Sequence, residues 1–189
     1  MDEPSLTPTS YLVLGLVGHL GRCTSYEMKA VVAGSIGYFW TFPHSQLYAE
    51  PARLVTLGLL DEDQETGGRR RRTFRLTDSG RAALRRWLSE PTALPTEIRD
   101  LAVLKLFFGG QAAEDDVARL AQAAAAGHRA RLSEYEAIAA VVPPGADRHQ
   151  LATLALGMRY ERAALAYWEA LAEVGPDWSV LAASPRLGP

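Results

Sequence analysis

The chain has 189 residues, 48% apolar and 22% charged, with a formal net charge of −2; that suits one ordinary domain or two small ones with a buried core, and excludes wholesale disorder and most multidomain enzymes. No run approaches the roughly 18 uncharged apolar residues of a membrane span, and Asp2 and Glu3 stand where a secretory leader carries positive charge. One cysteine, Cys23, and four scattered histidines give neither an internal disulfide nor zinc-ligand spacing, so the expected compartment is the cytoplasm, with no metal and no cofactor.

Thr7-Pro8 supplies an N-cap and a proline at the first helical position, and Tyr11, Leu12, Leu14, Leu16 and Val17 carry an apolar helix over about 8–20. Gly21 ends it. Thr24 with Glu27 three residues on has the capping-box pattern, opening a second helix over about 24–34. Gly34 and Gly37 loosen its end before the aromatic group Tyr38-Phe39-Trp40. Pro43 then marks a third helix that carries Leu47, Tyr48, Leu54 and Leu57 to a C-terminal cap at Gly58. Pro51 lies inside that helix. It removes the bond to the carbonyl of residue 47 and collides with that turn, at roughly 3 kcal/mol in a straight interior, so the helix is expected to bend or restart at 47–51.

The period then changes. Leu59 to Asp63, the Gly67-Gly68 turn and Arg69 to Leu76 read as a β-hairpin. Thr77 caps a fourth helix, about 78–90, with Leu84, Trp87 and Leu88 at helical spacing. The expected fold class is mainly α with a small β-hairpin: three helices, a hairpin and a helix make a winged helix-turn-helix over 1–90, an architecture that reads DNA.

Pro91–Pro95 reads as a hinge. Three further helices are expected at about 96–108, 112–141 and 148–174, forming a helical dimerisation and effector domain over 96–175, with a flexible tail over 176–189 that Trp178 could anchor. The alanine-rich segment Ala112–Ala140 favours helix, yet Val117, Leu120, Leu132, Tyr135 and Ile138 make only a thin stripe, as in a helix that packs against another chain. The last helix presents Leu151, Leu154, Met158, Leu165, Trp168 and Leu171 on one side, and Gly175-Pro176 ends it. Charge divides with the architecture: residues 1–88 hold 11 basic and 9 acidic side chains, residues 89–189 hold 9 and 13. Five of the seven residues from Arg69 to Arg75 are arginine.

Phe39-Trp40, His44-Ser45-Gln46-Leu47-Tyr48, Arg53-Leu54, Gly58-Leu59-Leu60 and the hairpin ending Phe74-Arg75-Leu76-Thr77-Asp78-Ser79-Gly80 together resemble the PadR family of transcriptional regulators. Arg99-Asp100, Leu104-Lys105-Leu106-Phe107-Phe108 and Leu156-Gly157-Met158-Arg159-Tyr160-Glu161 are similar to its longer subfamily, which has a helical effector and dimerisation domain. The resemblance runs from residue 6 to about 174. It implies a homodimeric repressor of bacterial genes, released from its operator by a small molecule, often a phenolic acid or toxic aromatic compound.

Because the second helix of a helix-turn-helix enters the major groove by its N-terminal residues, His44, Ser45 and Gln46 are the expected DNA contacts, with Tyr48 donating to a phosphate. Gln46 can pair two ways with adenine. Arg69, Arg70, Arg71 and Arg72 are expected to follow the phosphate backbone or enter the minor groove as a wing. Asp61, Glu62, Asp63 and Glu65 on the facing strand could neutralise them, but strand alternation is expected to separate acids from arginines and leave some arginines unpaired. Trp40, Trp87, Tyr160 and Trp168 are the candidates for a flat aromatic effector, between the domains or across a dimer seam, against the commoner fate of aromatics as core. Arg159 could meet an effector carboxylate. Cys23, just before a helix start, is expected to be a buried inert thiol rather than an oxidant sensor. No nucleophile elbow, phosphate-cradling loop or acid–base carboxylate pair is present, so no enzymatic activity is expected. The expected partners are double-stranded DNA, a second copy of the chain and a small aromatic effector, with no membrane. The alternatives are a winged-helix module that binds protein, or a drug-sequestering protein without specific operator binding.

Overall fold

The structure, a computed structural model, describes residues 5–64, 71–92 and 95–177. The chain divides into two compact units, Met1–Pro95 and Thr96–Pro189.

The first unit is built around α1 (Pro8–Leu20), which is apolar nearly all round and buries Val13, Leu14, Leu16 and Val17. Its start is fixed reciprocally: the Thr7 amide donates to Ser10 Oγ at 2.9 Å and the Ser10 amide to Thr7 Oγ1 at 3.3 Å. The strand β1 (Arg22–Cys23) follows, then α2 (Ser25–Ala33), opened by the Thr24–Glu27 box that the sequence predicts. After a 3-10 turn at Ile36–Tyr38 comes α3 (Gln46–Thr56), then β2 (Leu60–Gln64), β3 (Arg72–Leu76) and α4 (Asp78–Ser89). The three strands form an antiparallel sheet in the order β1-β3-β2. Val13, Leu14, Val17, Met28, Leu47, Leu54, Leu60 and Phe74 join helices and sheet in one core. Gly80 lets α4 dock, since a Cβ there would lie 2.0 Å from the Leu59 carbonyl oxygen.

Pro51 does not break α3. The helix runs unbroken over Gln46–Thr56, later than the Pro43 start predicted from sequence, and Pro51 is buried beside Leu47 and Leu54. Residues 43–48 instead form a tight turn, with amides 46, 47 and 48 bonded to carbonyls 43, 44 and 45.

In the second unit, Asp100 caps α5 (Leu101–Phe107) by accepting from the amides of Ala102 and Val103, so the helix is shorter than the predicted 96–108. A 3-10 turn at Gly109–Gln111 leads into α6 (Glu114–Ala140), which pairs with α7 (Arg148–Val174). The helix read from sequence as packing against another chain packs along α7, and it does so through small residues. Ala121 and Ala125 lie deepest, against Trp168 and Leu171, and of the predicted stripe Tyr135 alone is buried. Small α6 residues let the indole fit between the helices. At Gly157 an added Cβ would approach the Tyr135 ring at 3.0 Å. His128 Nδ1 and Glu161 Oε2 bridge the helices at 2.6 Å, and Arg162 donates to Glu136 at 3.0 Å. Leu101, Leu104, Phe107, Leu156 and Tyr160 remain more than half exposed. The predicted tail, Trp178 included, lies outside the described residues apart from Pro176 and Asp177.

Candidate nucleic-acid interface

The inward face of α3 is Leu47, Pro51 and Leu54, spaced one and two turns apart, all buried. That fixes which way the rest of the helix points. His44 and Ser45 are exposed, Gln46 is half-buried and Tyr48 is 52% exposed. Ser45 is the N-cap, yet its hydroxyl makes no capping bond, unlike Thr7, Thr24 and Thr77 at the starts of α1, α2 and α4. Amides 46–48 are already bonded within the turn. What the helix start offers a ligand is therefore side chains: an imidazole, a hydroxyl, a carboxamide and a phenol. The turn brings the four predicted residues together.

A polar link that the sequence does not disclose ties this helix to α1. Fully buried Ser10 donates its hydroxyl to Glu50 Oε1 at 2.7 Å, and Arg53 Nη2 donates to Ser10 Oγ at 2.9 Å and to Glu50 Oε1 at 2.7 Å. Burial opposes ionisation of Glu50, but the hydrogen bonds from Arg53 and Ser10 and the Arg53 charge outweigh it and hold the carboxyl below the ordinary glutamate range. The three side chains fix the roll of α3 against α1. No local pattern could have shown this, because Ser10 and Glu50 are 40 residues apart.

The hairpin register corrects the expectation that strand alternation separates acids from arginines. Register sets Gln64 opposite Arg72, Glu62 opposite Phe74 and Asp61 opposite Arg75, so acids and arginines share faces. Arg72 Nε and Nη2 donate to the two Glu62 oxygens at 2.5 and 2.6 Å, and its guanidinium lies 5.6 Å from the Phe74 ring centroid. On the other face Arg75 pairs with Asp61 at 3.1 Å and Arg22 with Asp63 at 3.2 Å. Arg71 is exposed; Arg69 and Arg70 lie outside the described residues. Exposed Tyr26 and Lys29 on α2, which sequence reasoning passed over, add polar reach beside α3; their only signal was polarity on the outer side of a short helix.

Of the four candidate effector aromatics, Trp40 and Trp87 belong to the first unit and Tyr160 and Trp168 to the second. Trp40 is 44% exposed after the 3-10 turn, and Trp87 stacks on Tyr11 with centroids 4.7 Å apart. Tyr160 is exposed. Trp168 is core: 2% exposed, it fills the α6–α7 seam, which leaves no face for a ligand. A 160 Å³ cavity in the second unit, lined by Val117, Ala118, Leu171 and Ala172 among others, is smaller than the roughly 300 Å³ at which small-molecule sites begin. Cys23 is buried and unpaired, and burial, aided by the Glu27 charge, pushes its thiol up to about 11, so it carries almost no thiolate at neutral pH. Among the described residues no helix is long and apolar enough to cross a membrane.

Residues 13–86 match the transcriptional regulator PadR-like family, and residues 98–174 match the virulence activator alpha C-terminal domain. The first unit thus carries a PadR-like region, and the second a region like the virulence activator C-terminal domain. It is 30% identical over 100 residues to the negative transcriptional regulator PadR of Bacillus subtilis, a match covering 52% of this chain and 54% of that one. That sequence match spans about half the length of the relative. The crystal structure of Bacillus subtilis PadR in complex with operator DNA superposes with a TM-score of 0.78 at 22% identity, over 87% of this chain and 96% of that one. The complex of the same protein with p-coumaric acid gives 0.73 at 23% identity with the same coverage. At this identity the superpositions show a shared fold. The family and these structural neighbours are transcriptional regulators, not enzymes.

Proposed function

We propose that this PadR-like protein is a DNA-binding transcriptional regulator: a cytoplasmic homodimeric repressor that holds an inverted-repeat operator through α3 and leaves it when a small aromatic effector binds. The observation that carries the reading is the start of α3, where Leu47, Pro51 and Leu54 face the core and leave His44, Ser45, Gln46 and Tyr48 as a side-chain surface with no capping duty. Gln46 would read adenine and Ser45 a neighbouring base edge or phosphate; His44 and Tyr48 would contact the backbone. Arg71, with Arg69 and Arg70, would supply the wing's phosphate contacts.

Pairing is supported by the second unit's exposed apolar side chains, Leu101, Leu104 and Phe107 on α5 and Leu156 and Tyr160 on α7, which a second copy would cover. A twofold dimer reads two half-sites roughly 34–36 Å apart, one turn of DNA, and so selects an inverted repeat. The 160 Å³ cavity of the second unit is small for a flat aromatic acid, and walls from a second copy would enlarge it, which would give the effector a stake in how the copies pair. The effector must prefer a dimer arrangement in which the half-site spacing no longer fits, since equal affinity for both arrangements shifts nothing.

Selection from a random duplex pool tests this. The wild-type chain should enrich an inverted repeat, and p-coumaric acid or another aromatic acid from a small panel should release the chosen duplex. A pool that stays random overturns the DNA-reading assignment and favours a protein-binding winged helix.

A further inference from the structure

Three successive carboxylates of β2 each hold an arginine, but they do so on different faces. Asp61 and Asp63 hold Arg75 and Arg22 on one face, and Glu62 holds Arg72 on the other. The Glu62 face is the one that packs on the helices: it carries Leu60, Phe74 and Leu76, which share a core with Leu47 and Leu54 of α3. Arg72 therefore projects from the side of the sheet on which α3 lies.

Its contact is a fork, two parallel N–H donors on the two oxygens of one carboxylate, the geometry in which a guanidinium also takes two phosphate oxygens. The Phe74 ring, itself core, supports the guanidinium from below. The hydrogen bonds from Arg72 hold Glu62 below the ordinary glutamate range, so the pair is ionised at neutral pH. Both side chains keep contact with water, Arg72 at 44% and Glu62 at 19% of their side-chain surface. Exchange of the carboxylate for another oxyanion is thus sterically open.

We propose that Glu62 acts as a built-in phosphate substitute on Arg72, so that the wing engages DNA by exchanging its own carboxylate for a DNA phosphate and Glu62 limits how much of the wing's charge DNA can use. This rests on the DNA-binding reading above. The energetics suit an exchange: an exposed ion pair shifts an equilibrium by roughly 1.5- to 5-fold, enough to tax binding and too little to forbid it. The effect falls most heavily on DNA of arbitrary sequence, where phosphate contacts supply essentially all the affinity. A simple stabilising pair across the hairpin would behave differently, because its removal would lower hairpin stability and leave DNA affinity alone.

The test is a double-mutant cycle on the full chain, with binding to a short duplex of arbitrary sequence followed by fluorescence anisotropy over a salt series. Glu62→Gln keeps the shape and removes the charge. It should tighten binding roughly 1.5- to 5-fold and steepen the salt dependence by up to about 0.9 in log–log slope, the share of one added phosphate contact. In the Arg72→Gln background, Glu62→Gln should have no effect. Asp61→Asn removes the same charge but frees Arg75 on the opposite face, and should leave the slope at the wild-type value. Circular dichroism of each variant confirms the fold, and Glu62→Ala provides a second reading of the same site. The proposal is overturned if Glu62→Gln leaves affinity and slope unchanged, if it acts equally without Arg72, or if Asp61→Asn matches it. A wild-type chain that binds no duplex at any salt overturns the DNA-binding reading itself, a distinct outcome.

Discussion

The two units bury apolar surface in opposite styles. In the first, α1 is surrounded by helices and sheet, and large side chains from every element fill one core: Leu14, Met28, Leu47, Leu54 and Phe74 are all at most 2% exposed. In the second, two 27-residue helices meet over alanines and a single indole, while Leu101, Leu104, Phe107 and Leu156 stay in water. The first unit completes its core within one chain. The second leaves large apolar side chains exposed, the surface that the proposed pairing would cover.

That contrast can be broken most directly at Leu54. Leu54→Ala should cost about 2–5 kcal/mol in urea unfolding, independent of protein concentration, because the cavity lies wholly within one chain. A concentration-dependent loss would show that the first unit is not self-contained. Phe107→Ala should do the converse: burying a phenyl is worth about 1.5–3 kcal/mol, so sedimentation should show association weakened by roughly 10- to 100-fold while the first unit's unfolding stays put. Unchanged association would remove α5 from the pairing surface.

Smaller effects sharpen the polar side of the comparison. Ser10→Ala leaves Glu50 and Arg53 to hold α3 without their buried third partner and should cost about 1–3 kcal/mol. It should lower the thermal midpoint of the first unit alone. The acid limb of stability follows from Glu50. Its pKa is depressed in the folded chain, so its contribution is complete above the ordinary glutamate value and is lost as pH falls through that value towards the folded one. Glu50→Gln should therefore flatten the fall of the thermal midpoint in that acid window. A limb as steep as wild type would assign it to other carboxylates.

Legibility from sequence followed the range of the interactions. Helix starts were legible because a cap and its partner are three residues apart: Thr7 with Ser10, Thr24 with Glu27, Thr77 with Gly80. The bounds of α1 and α7 follow from such signals. The strand Arg22–Cys23 is too short to show a period, and only its ladder to Phe74 and Arg75 defines it. The delayed start of α3 escaped notice because residues 43–45 spend their carbonyls in a 3-10 turn. The site was half legible. The turn at 43–48 is contiguous in sequence, whereas the pairing of Arg72 with Glu62 depends on hairpin register, and the Ser10–Glu50–Arg53 link on how α1 meets α3. The α6 seam was not legible because its alanines carry no apolar stripe; beside Trp168, small residues are what fit.

The central claim is that the start of α3 reads sequence, and Gln46→Ala tests it most directly. Binding of wild type and variant to the selected inverted repeat and to a scrambled duplex should be measured at one salt concentration. The account predicts a loss of about 1–3 kcal/mol per half-site contact on the repeat and none on the scrambled duplex. Equal losses on both duplexes, or no loss on either, would contradict it.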